Sequence, residues 1–467
     1  MHSPQLTAVA MMIAAGVLTA TAVGQAQESA DGFTNYGSPA QVYNSRGVAA
    51  TLDGDGRRVV LTWLSDHRST TGLLIIDAET GETKQLKIDR NASGSPFWML
   101  MSSQEKWYTQ FGRRFFEFDP KVGEITFMED CPGNWAASFT EDDNGIVWCC
   151  CQPDSDLISF DPATRTLTAH GSINSETWVQ HPLGRIVHDD AGWIYAGIGD
   201  TAAQVAAYNI ATGEVRHLIA QEQRAQGRAV VTRTAEGKVY AKAPDWPWHL
   251  LYDGQATVTD DVSDDNPPKS RPILSASWQS AFRNFPDGSR IQHIYVPDKT
   301  LTIRDADGTV RQLSFDYEDA QGPSIQSIIE GPDGALYGCT GHPQRIFRFD
   351  PQSGEKISYG LREQSGHWND LAVQRDLIFG AEYMGGQFYG YDPTRPWLDR
   401  DEENPNPRMY DVAGIYVSRP YILLAHPDGQ HLIMGGVPTY GVTGGGMFIY
   451  DLESESSELI MPEDLLA

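Results

Sequence analysis

Ser324–Gly360 reads SIQSIIE-GPDG-ALYGCTG-HPQ-RIFRFD-PQSG-EKISYG, and this stretch decides the fold. It holds four short runs that are alternating or wholly apolar. Each is separated from the next by Gly, Pro and Asp, the residues that supply a positive or a fixed φ in a tight turn. Four antiparallel strands joined by hairpins is the only economical reading.

The end of the third run, an aromatic or aliphatic segment closing on a turn Asp, recurs along the whole chain. It appears as LLIIDAETG at Leu73, FFEFDPKVG at Phe115, LISFDPATR at Leu157, VAAYNIATG at Val205, LLYDGQ at Leu250, LTIRDADG at Leu301, IFRFDPQSG at Ile346, FYGYDPTR at Phe388 and FIYDLES at Phe448. The turn residue falls at 77, 119, 161, 209, 253, 305, 350, 392 and 451, so nine copies recur at intervals of 42 to 59 residues. An internal repeat of this period, with four strands per copy, predicts the blades of a β-propeller, which close radially and leave only short edges. Helical repeats are excluded, because no unit carries ten residues at 3.6 spacing. The expected architecture is a single all-β propeller over 45–467, of eight or nine blades by repeat count with seven as the fallback.

The units GPDGALYG and IFRFDPQSGE resemble the blades of virginiamycin B lyase, NHL and SMP-30-type propellers, and the resemblance covers about residues 45 to 460. It implies a fold and says little about chemistry. The virginiamycin lyase family pairs Glu and His two apart to support Mg²⁺, and none of the 12 His here has Glu two residues before it. The SMP-30 type implies a Glu, Asn and Asp set from separate blades. Glu382, Asn369 and Asp200 offer those residue types, without a spacing that singles them out. DAETGETKQL near Asp77 resembles a quinoprotein docking repeat but lacks its closing Trp.

Composition bounds the partners. Against 62 acidic residues stand 35 basic ones, a net charge of −27, and no Lys/Arg run forms a basic face. Nucleic acids and anionic membranes are excluded as partners by bulk electrostatics. An acidic ligand needs its own local Arg or His. Ala8–Gly24 is apolar and rich in small residues and ends at Gly-Gln-Ala, which predicts a secretory leader removed after about Ala26, although Met1–Thr7 carries no Lys or Arg. The expected location is secreted or periplasmic, and the expected state a monomer with residues 27–44 as an N-terminal segment.

If the innermost strand of each blade comes first, the loops entering it and the loops between second and third strands open on one funnel. Aligning the units on the Asp-Gly turns brings His181, His342, His367, Arg419, Tyr383 and Tyr440 there, with Trp135, Trp178, Trp278 and Trp368 as flat walls. Rings and titratable groups in one funnel suit an oligo- or polysaccharide. The same set suits β-elimination on a uronate glycan: Arg419 and Asn369 neutralise the C6 carboxylate, His367 or His342 takes the C5 proton, and Tyr383 or Tyr440 protonates the leaving oxygen. Ulvan lyases and rhamnosyl-glucuronate lyases are propellers that use a similar set, and the analogy implies a polysaccharide lyase. A glycan- or protein-binding propeller, a glycoside hydrolase and a lactonase-like metal hydrolase are the alternatives.

The remaining features read as structure. His188 and His426 precede Asp turns on the opposite face. Cys149, Cys150 and Cys151 share one strand, with Cys131 within reach of a bridge and no zinc spacing. The acidic loop WLDRDEENPNPR (397–408) reads as a solvated excursion and GVTGGG (441–446) as a loop between strands. No motif calls for a cofactor, and a divalent cation stays open.

Overall fold

Residues whose neighbours on both sides are apolar cannot form a sheet that faces water, and the middle strands here are of that kind. Val147–Gln152 (VWCCCQ) and Trp193–Asp200 (WIYAGIGD) are buried at every position. The outermost strands, such as Thr166–Ser172, are largely exposed. The third and fourth sheets are therefore each covered on both faces along their middle and wetted along the rim.

The computed structural model describes residues 27–28, 32 and 34–465, apart from 67–69, 89–94, 177–179, 271–273, 278–280, 319–321, 361–365 and 400–402. The proposed leader, Trp178 and Trp278 lie outside the described residues. Successive antiparallel sheets span 44–87, 98–130, 135–172, 180–217, 230–258, 290–314, 325–359, 368–412 and 419–460, and we call them the first to the ninth sheet. Each holds one copy of the repeat, most of them in the four-stranded antiparallel pattern of a β-propeller. Among the described residues no helix is long and apolar enough to cross a membrane.

Apolar clusters join the first sheet to the second, the second to the third, the third to the fourth and the fourth to the fifth. Others join the seventh to the eighth and the eighth to the ninth. The sixth sheet packs back on the first, Phe285, Ile291 and Leu301 meeting Val48, Val60 and Leu74. The sixth sheet has three regular strands. The residues before them are drawn to other partners: Ala281–Phe282 pairs in parallel with Val48–Ala49 and Leu274–Ser277 pairs with the inner strand Trp98–Met101 of the second sheet.

In most copies the repeating Asp or Asn has the same job. Its side chain accepts backbone N–H groups two and three residues on, as Asp77 does from Glu79 and Thr80 and Asp350 from Gln352 and Ser353. Its carbonyl accepts the N–H of the residue four on, Gly81, Gly123, Gly213 or Gly354, each at φ between 68° and 77°. That left-handed position favours glycine and accounts for the D-x-x-x-G spacing. A second Asp closes the turn between first and second strands, where Asp53, Asp142 and Asp189 each accept the N–H groups two and four residues on.

All five cysteines are free and buried. Cys149 and Cys151 face the second sheet and Cys150 the fourth, as alternation requires. The bridge from Cys131 is not formed. Burial pushes its thiol up to about 12, so it behaves as core. His188 is likewise buried, 3.3 Å from Asp143. The described ends of the acidic loop pack on the body: Trp397 stacks on Tyr359 and the Asn406 amide donates to the carbonyls of Asp392, Arg395 and Pro396.

Asp189 also ties two sheets together, accepting from the Tyr195 hydroxyl at 2.7 Å and from the backbone N–H of Asp253 in the fifth sheet at 2.9 Å. Asp189→Ala strands buried donors and should cost about 3 kcal/mol, whereas Asp77→Ala at an exposed turn should cost about 1 kcal/mol. Urea unfolding of the two variants at neutral pH checks the ranking.

Candidate functional site

The first residues of each inner strand lie beside the last residues of the second strand. Arg46 pairs with Trp63, Trp135 with Gln152, His181 with Gly199, Trp368 with Glu382 and Arg419 with Val437. Side chains at that end of different sheets meet one another. The His342 and His367 rings, from the seventh and eighth sheets, sit edge to face at 4.7 Å between centroids. His367 stacks on Tyr383 at 5.0 Å. The Arg419 guanidinium of the ninth sheet lies 5.7 Å from the Tyr383 ring and 3.9 Å from that of Tyr440. Tyr440 meets His181 of the fourth sheet edge-on at 4.8 Å. His181 Nδ1 is 3.1 Å from Asp200 Oδ2, and Arg228, ahead of the fifth sheet, donates to Asp200 Oδ1 at 2.6 Å.

A chain of contacts thus runs His342, His367, Tyr383, Arg419, Tyr440, His181, Asp200, Arg228. The loop that carries Tyr440 explains how it reaches a distant sheet. Gly441 rests on the backbone of Asp200, where a Cβ would lie 2.5 Å from the carbonyl oxygen, and its own carbonyl accepts from Gln226. Its φ of +79° adds a second reason for glycine.

Within this chain the groups differ in access. His342, Tyr383, Arg419 and His181 are half-buried and Tyr440 is exposed, whereas His367 is 4% exposed. His367, expected as a base, therefore backs the Tyr383 ring and does not front the funnel. Burial raises the Tyr383 hydroxyl pKa, and the nearby Arg419 charge pulls it the other way. Burial also works to raise Asp200, but hydrogen bonds and charge from His181 and Arg228 win and hold it below the usual carboxylate range. Asp200 fixes which ring nitrogen of His181 faces away.

Expectations for three residues are corrected. Trp368 is wholly buried between the seventh and eighth sheets, stacked on Tyr389, and walls nothing. Trp135 packs on Phe97 at 4.4 Å, half-buried against the first and second sheets. Asn369 donates its amide to the Pro420 carbonyl at 2.6 Å, which joins the eighth sheet to the ninth and takes that N–H away from any ligand.

Sequence reasoning missed two groups, Arg46 and Arg228, and offered Glu382 only as the Glu of an SMP-30-type set. Arg46, in the first inner strand, is close enough to Tyr383 for their charges to interact, and burial lowers its pKa to about 10. The unit alignment starts at the second copy; carried back to the Asp53 turn it reaches Asn44–Arg46. Arg228 is one residue past the aligned position Gly227. It borders a 570 Å³ cleft lined by Lys242, Trp246, Trp248 and Asp264. Glu382, beside Tyr383 in sequence, is a buried carboxyl whose pKa burial drives up to about 8, against a hydrogen bond from Tyr389 and another from the Gly366 backbone.

No family model matches the chain, and no curated protein does. Among solved structures it is similar to a catalytically inactive virginiamycin B lyase from Staphylococcus aureus with quinupristin, at 11% identity over 73% of this chain and 92% of that one, TM-score 0.32. It is similar to a streptogramin B lyase structure at 13% identity over 69% and 95%, TM-score 0.32. It is also similar to the extracellular domain of a putative one-component system, BT4673 from B. thetaiotaomicron, at 16% identity over 89% of this chain, TM-score 0.30. The chain spans 60% of that domain's length. Scores this low carry no argument, and the fold rests on the sheets themselves. They define a β-propeller with titratable side chains of several sheets brought together at one end.

Glu382 holds its proton in the folded chain to about pH 8, against an ordinary value of 4.5. The folded state then binds the extra proton between those values, so its contribution to stability falls as pH rises from 4.5 through 8. Glu382→Gln should flatten that fall and melt higher than the parent at pH 9, as thermal unfolding across the range will show.

Proposed function

We propose that the protein is a carbohydrate-active enzyme, a polysaccharide lyase that cleaves uronate-containing glycans by β-elimination at this end of the propeller. The observation that carries the reading is the position of Arg419 between two hydroxyl-bearing rings, with an Asp-oriented imidazole behind one of them. β-Elimination needs three things in that order: a cation on the C6 carboxylate, a base at C5 and an acid at the leaving oxygen.

Arg419 supplies the cation, and its charge makes the C5 proton more acidic by stabilising the enolate that forms when the proton leaves. His181, its Nδ1 held by Asp200, takes that proton on Nε2. Tyr383, on the other side of Arg419, gives its hydroxyl proton to the glycosidic oxygen as the C4–O bond breaks. His342 borders the same space, and His367 positions Tyr383 from beneath. Atoms balance: one C–H and one C–O bond break, a C4–C5 double bond forms, and no water is consumed.

Incubation with a panel of uronic polysaccharides should generate the ultraviolet absorbance of an unsaturated uronate on at least one of them. Arg419→Ala, Tyr383→Phe and His181→Ala should each lower that rate by about 100-fold or more with the fold intact. Release of reducing ends without the chromophore would make the enzyme a hydrolase. Binding with no cleavage on any substrate would leave a glycan-binding propeller.

A further inference from the structure

The turn between first and second strands is built alike in several sheets, and the differences among its copies are informative. Asp53, Asp142, Asp189 and Asp428 each use Oδ1 to accept two backbone N–H groups. The second oxygen takes a fixed, non-ligating donor in the first three: Arg57 Nε at 2.8 Å, the Trp148 indole at 2.9 Å and the Tyr195 hydroxyl at 2.7 Å. In the ninth sheet the donors are replaced by two imidazoles. His426 Nδ1 lies 3.0 Å and His431 Nδ1 2.6 Å from Asp428 Oδ2.

We propose that His426, Asp428 and His431 form a binding site for a first-row transition-metal dication of the zinc class. This inference is independent of the reaction proposed above, since the turn lies at the other end of the strands. Three features support it. The ligand atoms of the three residues lie within 4.8 Å of one another, close enough for one ion to reach all three. Two nitrogens and one carboxylate oxygen are a zinc-type donor set and a poor one for Ca²⁺ or Mg²⁺, which want oxygen.

The site is also held in place before any ion arrives. The His426 backbone N–H donates to the His431 carbonyl at 2.9 Å, which fixes the two ring-bearing residues across the hairpin. From the eighth sheet the Gln374 amide donates to both of their carbonyls, and Arg375 Nε donates to the Gly429 carbonyl. The two backbone bonds to Asp428 Oδ1 aim Oδ2 at the rings. On the far side of His431, Nε2 faces the Asp451 carboxylate at 3.9 Å, and Asp451 is itself held by Gln430 at 2.9 Å. A carboxylate behind a ligating imidazole is the usual outer support of such a ligand. His426 and Asp428 are exposed, so an ion held here keeps coordination positions open to water or to a further ligand.

Titration calorimetry of the full chain with Zn²⁺ in a non-chelating buffer at neutral pH is the test. The parent should bind one equivalent at this site. His426→Gln and His431→Gln should each weaken that binding by more than about tenfold. Neither substitution touches the backbone bonds to Asp428 Oδ1, and circular dichroism checks each fold separately, so one folded variant suffices. Zn²⁺ should raise the melting temperature of the parent and leave that of the double variant unchanged. Absence of a stoichiometric event in the parent, or parental affinity in the folded double variant, overturns the site.

Discussion

Burial of both faces of each sheet's middle strands is the constraint from which the rest follows. A strand such as Trp193–Asp200, buried at every position, has no face to offer to water, so no single repeat can fold alone. A sheet built on such strands has to find a partner for each face, and the sixth sheet, whose strands alternate, covers its buried face by packing on the first. The same demand explains why residues before its regular strands pair with the inner strands of the first and second sheets, where unpaired backbone groups are available.

Stacked sheets with a common strand order put the same end of every inner strand on the same side. That is a geometric fact before it is a chemical one. It lets a residue at 181 meet one at 440, and one at 342 meet one at 367, without any loop long enough to search for its partner. The turn Asp residues occupy the opposite end, where they close hairpins by accepting backbone N–H groups. Both candidate sites are therefore by-products of one repeat: one end of the strands has loops free to vary, and the other has a conserved geometry in which only the donor to a single carboxylate oxygen changes.

Much of this was legible in the sequence because it depends on local rules. The four strands per unit, the D-x-x-x-G turn and the alternation that splits Cys150 from Cys149 and Cys151 all follow from periodicity and φ preference. Counting back from a turn places His181, His367 and Arg419, and the loops between second and third strands place His342, Tyr383 and Tyr440; their side chains meet in one chain of contacts. The failures have physical causes. Counting gives an axial level and says nothing of which way a ring faces, so Trp368 was placed on a wall when it fills a core. It also cannot see depth, so buried His367 and the half-buried rings looked alike. Ion pairs between sheets, such as Arg228 with Asp200, join residues whose neighbours in sequence say nothing about each other. His426 was set aside as structural because one imidazole beside a turn usually is; its meaning depends on His431 reaching the same oxygen, which only the closed hairpin shows.

The net charge of −27 takes on a particular shape once the side chains are placed. Many of the acidic groups sit in turns, where backbone N–H groups and nearby cations hold carboxylates such as Asp53, Asp350 and Asp451 below their ordinary range. The opposite end gathers Arg46, Arg228 and Arg419, with the Asp200 carboxylate paired to Arg228. At physiological salt, exposed charges are screened beyond about 8 Å. An anionic group already within that end interacts with the three arginines at short range and meets little of the turn charge behind it. On the lyase reading proposed above, overall acidity would repel a polyanion at a distance while Arg419 and its neighbours would accept one carboxylate at contact, so an acidic ligand would be recognised by position and not by bulk charge.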